Sequence, residues 1–555
     1  MAKFTIGIDF GTLSGRAVIV NTATGAELGY SVFEYPHGVM DEQLPDGTKL
    51  PMEYALQHPQ DYIDTIKTIV PDVINKAGVN VDDVIGLALD FTACSVLPVK
   101  ADGSPVCFMD EYKSNPKAYV MMWKHHGAND YADRMTEIAS ARGEDFLARM
   151  GGKISSESLT PRIWQICEED PKLYAEMDYY LEAGDWMVWQ LTGKQTRNSA
   201  AAGYKALYHK ENGYPSPDFY ASLNPELRDL ASTKLNCPVT PVCSKAGEID
   251  EKGAALTGLK IGTTVAVSNI DAHAGVPAAM KESGADAMVM IMGTSACQMI
   301  NAKEEHIISG VFGVVEDGMF PGFFGYEAGQ SCVGDHFAWF VDNCVPEAYA
   351  QEAREKGIDL HQLLTEKANI QAPGESGLIA LDWWNGNRSV LIDPNLTGMM
   401  IGMNLQTKPE EMYRALIEAT AYGVRKIVDN FDNNGVKTKV IYATGGIAFK
   451  NPMMMQIYAD VLNRPIKLAG SDNGPALGSA IHAAVAAGSA AGGYDSIFDA
   501  TRVLASERGF EYTPIEKNVE IYDKLYAEYD NLHEYFGRGA NDVMKRLRKI
   551  KSEVK

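Results

Sequence analysis

Phe4-Thr-Ile-Gly-Ile-Asp-Phe10, Gly11-Thr12-Leu-Ser-Gly15 and Arg16-Ala-Val-Ile-Val20 follow one another without a break, and their reading decides the fold. The outer runs are apolar and β-rich, and the middle is a small-residue turn. The stretch therefore predicts a hairpin whose backbone can approach a ligand closely. Asp9 at the strand end, the turn amides and the Thr12 hydroxyl together suit Mg²⁺ and terminal phosphates. Taken alone, a D-x-G-T turn is equally compatible with a purely structural hairpin.

Two later segments share this grammar. Ala287-Met-Val-Met-Ile-Met292, Gly293-Thr294-Ser295 and Ala296-Cys-Gln-Met-Ile300 repeat the strand, Gly-Thr turn, strand arrangement about half a chain further on. This suggests a weak internal duplication with one phosphate-type loop opening each domain, although Gly-Thr also recurs by chance. Lys439-Val-Ile-Tyr-Ala443 runs into Thr444-Gly445-Gly446, then Asn451-Pro452 and a helix over Met453 to Leu462, with Pro suited to a helix start. Thr407-Lys-Pro-Glu410 has capping-box spacing ahead of a helix whose stripe is Leu416, Thr420, Gly423, Ile427 and Phe431. An Ala/Gly-dominated helix over 476–487 can lie very close to a neighbour. Tyr522, Leu525, Tyr529, Leu532 and Phe536 predict a docked C-terminal helix, and Lys545 to Lys551 a solvated basic face.

A chain of 555 residues exceeds the size of one hydrophobic core, so two large domains with a cleft between them are expected. No stretch approaches the roughly 20 apolar residues of a membrane span. The start of the chain carries no export signal, which makes the cytoplasm the expected location. Eight cysteines without a C-x-x-C pair argue against a zinc site or disulfide framework. A formal net charge of −23 repels nucleic acid and anionic membranes, excluding both as main partners, yet it leaves room for ATP held by backbone amides and Mg²⁺.

Neither a Walker A pattern nor G-x-G-x-x-G occurs, so any nucleotide is held on another scaffold. Ile6-Gly-Ile-Asp-Phe-Gly-Thr-Leu-Ser-Gly-Arg-Ala-Val18 resembles the opening of FGGY carbohydrate kinases. So do Leu87-Ala-Leu-Asp-Phe-Thr-Ala-Cys94, Trp123-Lys-His-His126, Ala201-Ala-Gly-Tyr-Lys205, Ile270-Asp-Ala-His-Ala-Gly275, Gly325-Tyr-Glu-Ala-Gly-Gln-Ser331, Asp382-Trp-Trp-Asn-Gly-Asn-Arg388 and Ala443-Thr-Gly-Gly-Ile447. The resemblance spans Lys3 to about Gly488.

The resemblance implies an α/β protein of the two-domain actin-like ATPase superfold (sugar kinase, heat-shock protein, actin), with ribonuclease H-like domains about a cleft. Residues 1–275 would form the sugar domain with the first phosphate loop and the base, residues 276–490 the domain with the second loop and the adenosine site, and residues 491–555 a helical extension. Asp271 would be the catalytic base, Asp9 and Asp271 the Mg²⁺ residues, and Ala93, Lys205, Asp271 and Glu327 the sugar site. ATP would meet Gly11, Thr12, Gly293, Thr294 and Ser295 at its phosphates and Gly445, Gly446 and Asn451 at its adenosine. His273 reads as a satisfied core histidine.

The implied reaction is ATP-dependent phosphorylation of L-ribulose to L-ribulose 5-phosphate, a step of L-arabinose breakdown. Another ketopentose or a pentitol, or a sugar-sensing protein on the same fold, stand as alternatives. The partner is a small-molecule sugar, with a homodimer left open. Two departures from the family pattern are Arg162, in Pro161-Arg162 where the family has Pro-Lys, and Gln298, where related kinases often carry His.

Overall fold

The computed structural model describes residues 2–281, 284 and 286–554; residues 1 and 555, the outer limits of the expected first and last segments, lie outside it. Numbering the strands of the two large sheets in chain order, the first contains β1 (Phe4–Phe10), β2 (Ser14–Asn21), β3 (Glu27–Glu34), β4 (Val84–Phe91), β5 (Lys245–Glu248), β6 (Thr264–Ala266) and β7 (Asn269–Ile270). The second contains β8 (Ala287–Met292), β9 (Ala296–Ala302), β10 (Gly313–Glu316), β11 (Phe324–Gln330), β12 (Val440–Thr444), β13 (Ile466–Ala469) and β14 (Glu507–Tyr512). The helices that bear on the site are α1 (Pro59–Ala77), α2 (Leu159–Glu169), α3 (Ser199–Ala206), α4 (Asp271–Ala279), α5 (Pro409–Asn433), α6 (Pro452–Leu462), α7 (Gly474–Ala487), α8 (Glu516–Gly537) and α9 (Val543–Val554).

Each sheet has seven strands. The first runs β5-β6-β4-β1-β2-β3 with β7 also on β4, and the second runs β10-β11-β9-β8-β12-β13-β14. The predicted duplication has a structural counterpart. β1 with β2 and β8 with β9 are antiparallel hairpins closed by the two Gly-Thr turns. In each sheet the opening strand then pairs in parallel with a strand from much later in the chain, β4 in one and β12 in the other. β1 is buried along its whole length, so its apolar residues do not alternate with exposed polar ones, and Asp9 is the one charge it carries.

Residues 491–555 are more than a helical extension. They contribute β14, antiparallel to β13, as well as α8, whose Tyr522 and Tyr529 are buried in the second core, while α9 is largely exposed. Within α5, Leu416, Thr420, Gly423, Ile427 and Phe431 are all buried, as their spacing predicts. Its start lies one residue beyond the expected cap. Glu411 accepts from the Lys408 amide at 2.6 Å, whereas the Thr407 hydroxyl accepts from Asn404.

The Ala/Gly-rich α7 comes from the second half of the chain but packs on β1 and β4 of the first sheet and on α4. A Cβ at Gly7 would lie 1.8 Å from the Ala476 carbonyl oxygen, and one at Gly478 only 1.7 Å from that of Ala274. Backbone-to-backbone contact of this kind requires glycine on one side. Among the described residues, no helix is long and apolar enough to cross a membrane.

Candidate active site

Strand register assembles the acidic centre. In the parallel pairing, Asp9 of β1 lies opposite Asp90 of β4, and Asn269 of β7 lies opposite Asp90 on its other side. One residue past β7 the chain turns into α4, so Asp271 occupies its first turn; its Oδ1 accepts from the Ala272 amide at 2.6 Å. The capping position itself belongs to Ile270, which leaves Asp271 without a cap role.

The carboxylates perturb one another. Burial first, then the Asp9 charge and more weakly that of Glu327, push Asp271 up to about 7, against the opposing Ala272 amide and Lys205. Asp90 is raised well above the ordinary range by burial and by Asp9; its Oδ2 accepts from Ser479 of α7 at 2.5 Å. Asp9 is raised by burial, with Arg16, 3.5 Å away, favouring its ionised form. Of this pair, Asp90 takes up a proton first. The carboxyl oxygens of Asp9 and Asp271, with the unpartnered buried Oδ1 of Asp90 behind them, are hard oxygens of the kind Mg²⁺ takes. Asp90 belongs to the Leu87–Cys94 motif; burial and then Asp9, which is adjacent only across the sheet, raise it.

The residues expected at the sugar come from both halves of the chain. Lys205, at the end of α3, is buried with its Nζ 3.6 Å from Glu157 and 4.9 Å from the Phe312 ring centroid. Glu327 lies on β11, where burial would raise its carboxyl but the Arg388 and Lys205 charges hold it below the usual range. Ala93 is half-buried in the turn after β4, which is closed by the Thr92 and Ser95 hydroxyls at 2.8 Å. Lys205, Glu327 and Asp271 share one electrostatic neighbourhood, since each charge affects the others.

His273 departs from the expected satisfied core histidine. It is buried against Tyr204, with ring centroids 4.4 Å apart, yet neither ring nitrogen is hydrogen-bonded; Nε2 is 3.5 Å from Glu327 Oε2. Burial lowers it to about 4, so it is neutral. A neutral imidazole wedged beside the sugar residues is a packing wall with spare hydrogen-bonding capacity.

The second Gly-Thr turn and the Gly445-Gly446 turn, expected at the phosphates and the adenosine, converge. Gly293 and Thr294 are exposed, and the Val333 and Gly334 amides donate to the Thr294 and Gly293 carbonyls at 2.9 and 3.0 Å. Gly445 has φ 99°, and a Cβ there would sit 2.3 Å from the Met292 carbonyl oxygen, so the 444–446 turn presses on the end of β8. Gly446 faces open space, with nothing within 4 Å of a Cβ. A flat ring fits such a surface. Asn451 caps α6, its Oδ1 accepting from Met454 at 3.0 Å, which leaves its amide nitrogen for a ligand. Ser295 closes the loop by accepting from the Gly293 amide at 2.9 Å.

On the opposite side, Thr12 Oγ1 accepts from Trp123 Nε1 at 3.2 Å and its carbonyl accepts from Gln57 at 2.9 Å; the Gly11 amide is spent on the Ser14 carbonyl. Gly11 therefore offers shape rather than a donor.

Of the two departures, Arg162 has a structural explanation and Gln298 has none. Arg162 of α2 is fully buried, and its guanidinium donates to the carbonyls of Ser156, Cys94, Met121, Met122 and His125 at 2.6 to 3.2 Å. It ties the turn carrying Ala93 to the Trp123 segment, a task for a five-donor fork rather than a point charge. Gln298 is buried and donates to Gln330 Oε1 at 3.4 Å.

With this geometry in hand, comparisons with known proteins place the chain. Residues 4–276 match the N-terminal domain and residues 288–487 the C-terminal domain of the FGGY family of carbohydrate kinases. The chain belongs to the FGGY family of carbohydrate kinases: it is a kinase that uses ATP and acts on a small-molecule sugar. Over 100% of its length it is 53% identical to a protein named ribulokinase from Geobacillus thermodenitrificans strain NG80-2, covering 98% of that protein. A ribulokinase from Halalkalibacterium halodurans is 53% identical over 99% of the chain and 98% of its own length. The solved xylulose kinase from Rhodospirillum rubrum shares the fold, with TM-score 0.77 and 22% identity over 96% of this chain and 98% of that one.

Proposed function

We propose that the protein transfers the γ-phosphoryl group of ATP to L-ribulose, giving L-ribulose 5-phosphate and ADP, as a step of L-arabinose breakdown. The observation that carries the chemistry is Asp271. A carboxyl pushed up to about 7, beside the cationic Lys205 and the anionic Glu327, is matched to accept the proton of a sugar hydroxyl as the new O–P bond forms. Full-length identity to proteins named ribulokinase supports the choice of sugar.

Lys205 and Glu327 offer a donor and an acceptor to neighbouring hydroxyls, while Ala93 leaves room where a larger side chain would intrude. Gly293, Thr294, Ser295 and Thr12 would approach the phosphates, and Gly445, Gly446 and the Asn451 amide the adenosine. Asp9, with Asp90 behind it and Asp271 near, would hold Mg²⁺. That ion supplies charge neutralisation for the transferring phosphoryl group. Tyr204 and His273 keep water from the buried side of the sugar site.

The test is a coupled ADP-release assay over the four 2-ketopentoses and their pentitols. L-Ribulose is expected to give the highest kcat/KM; a preference of tenfold or more for D-xylulose would overturn the sugar assignment. Asp271→Asn is expected to lower kcat by about 10²–10⁴-fold while ATP still binds. Retained turnover would remove Asp271 as the base.

A further inference from the structure

The segment Asp382 to Arg388 has been given no role so far, yet it joins the sugar site to the C-terminal helix. Asp382 is buried at one end, where Oδ2 accepts from Gln330 Nε2 and Oδ1 from the Tyr529 hydroxyl of α8, both at 2.8 Å. Gln330 is itself fixed by donating to the Thr420 carbonyl of α5 at 2.9 Å. At the other end, Arg388 Nη2 donates to Glu327 Oε1 at 2.5 Å, and the guanidinium lies 5.2 Å from the Phe312 ring centroid. Lys205 meets the same ring. Glu327 Oε2, 3.5 Å from His273 Nε2, has no strong hydrogen bond and keeps its acceptor capacity.

We propose that Arg388 is a positioning residue for the sugar: it clamps one oxygen of Glu327 so that the other is presented to a substrate hydroxyl, and Tyr529, through Asp382, holds the clamp in place. Without this partner the buried carboxylate would lose its hydrogen-bonded cation, keep only the more distant Lys205 charge, and be free to rotate. The C-terminal helix thereby sets the geometry of a site to which it contributes no contact. The inference rests on the reading of Glu327 as a sugar-binding residue.

The experiment measures kcat, KM for sugar and KM for ATP in Arg388→Met, Arg388→Lys, Tyr529→Phe and Glu327→Gln, and in the Arg388→Met/Glu327→Gln double variant. It uses whichever sugar the unchanged protein prefers, so an error in the sugar assignment leaves the test intact. Glu327→Gln alone tests the underlying reading, by a raised sugar KM. Arg388→Met is expected to raise sugar KM about 10–100-fold with ATP KM changed less than about twofold, and Arg388→Lys to recover part of the loss. Once Glu327 is Gln, Arg388→Met should add less than about twofold, because Arg388 acts through that carboxylate. Tyr529→Phe, which deletes one hydroxyl, is expected to raise sugar KM about threefold or more. Independent multiplicative effects in the double variant, an ATP KM rising in step with sugar KM, or no recovery by lysine would overturn the clamp. Wild-type sugar KM in Tyr529→Phe would overturn the anchor. If Arg388→Met does not fold, the Lys and Phe variants decide by the same criteria.

Discussion

Gly478→Ala adds one methyl group where α7 crosses α4. Its carbon would stand 1.7 Å from the Ala274 carbonyl oxygen and 2.6 Å from its carbonyl carbon, whereas ordinary contact begins at 3.4 Å. The atoms in the way are backbone, so no rotamer change can make room. The two helices must part by roughly 1 Å or more, because a close-packed interior does not absorb such an overlap. Overpacking of this kind costs about 1–3 kcal/mol and occasionally more. α4 carries Asp271 in its first turn, three residues before Ala274, so the shift reaches the proposed base. A misplacement of about 1 Å costs on the order of 10²-fold in rate. The expected result is a melting temperature lowered by several degrees and kcat reduced about 100-fold, with ATP KM much less affected because Gly445 and Gly446 sit on a different element. Thermal melts and the coupled ADP-release assay measure both. Wild-type melting and wild-type kcat in Gly478→Ala would refute the claim that this helix crossing positions Asp271.

Three further outcomes are expected. Because Asp271 must be ionised to accept a proton and titrates near about 7, kcat/KM for sugar should fall about tenfold per pH unit below 7 and level off above it; saturating Mg²⁺-ATP should move that limb to lower pH, since nearby positive charge favours the carboxylate. Arg162→Lys strands at least two of five buried carbonyls, which predicts a loss of about 2–5 kcal/mol in a denaturant melt, and an unchanged midpoint would show the fork to be dispensable. Gly446→Val fills open space without touching protein, so stability should hold while ATP KM rises; an unchanged ATP KM would move the adenosine elsewhere.

What the sequence disclosed was local. The Gly-Thr hairpins, the Gly-Gly turn and the stripe of α5 are written in neighbouring residues, and the motifs carried the family. Relations across the chain were not legible. Arg388 and Glu327 are 61 positions apart, and Tyr529 and Asp382 are 147 apart; no periodicity connects them. Asp90 was visible as a letter, but its raised state follows from its burial and from Asp9 opposite it in the sheet. His273 was misjudged because burial can be read from an apolar context whereas hydrogen-bond satisfaction cannot. Tail residues 507–512 alternate too weakly to announce a strand; they become one because β13 offers a free edge.

The docking of α7 bears on how the protein is made. A nascent chain that has emerged through residue 276 already carries every strand of the first sheet, but Gly7 and Gly86 face nothing until Ala476 and Ala483 arrive, and Asp90 waits for Ser479. Roughly 200 more residues must leave the ribosome before that face is covered, a long interval for bare apolar surface. The first half is thus begun early and finished last, with the second half's helix as its closing piece.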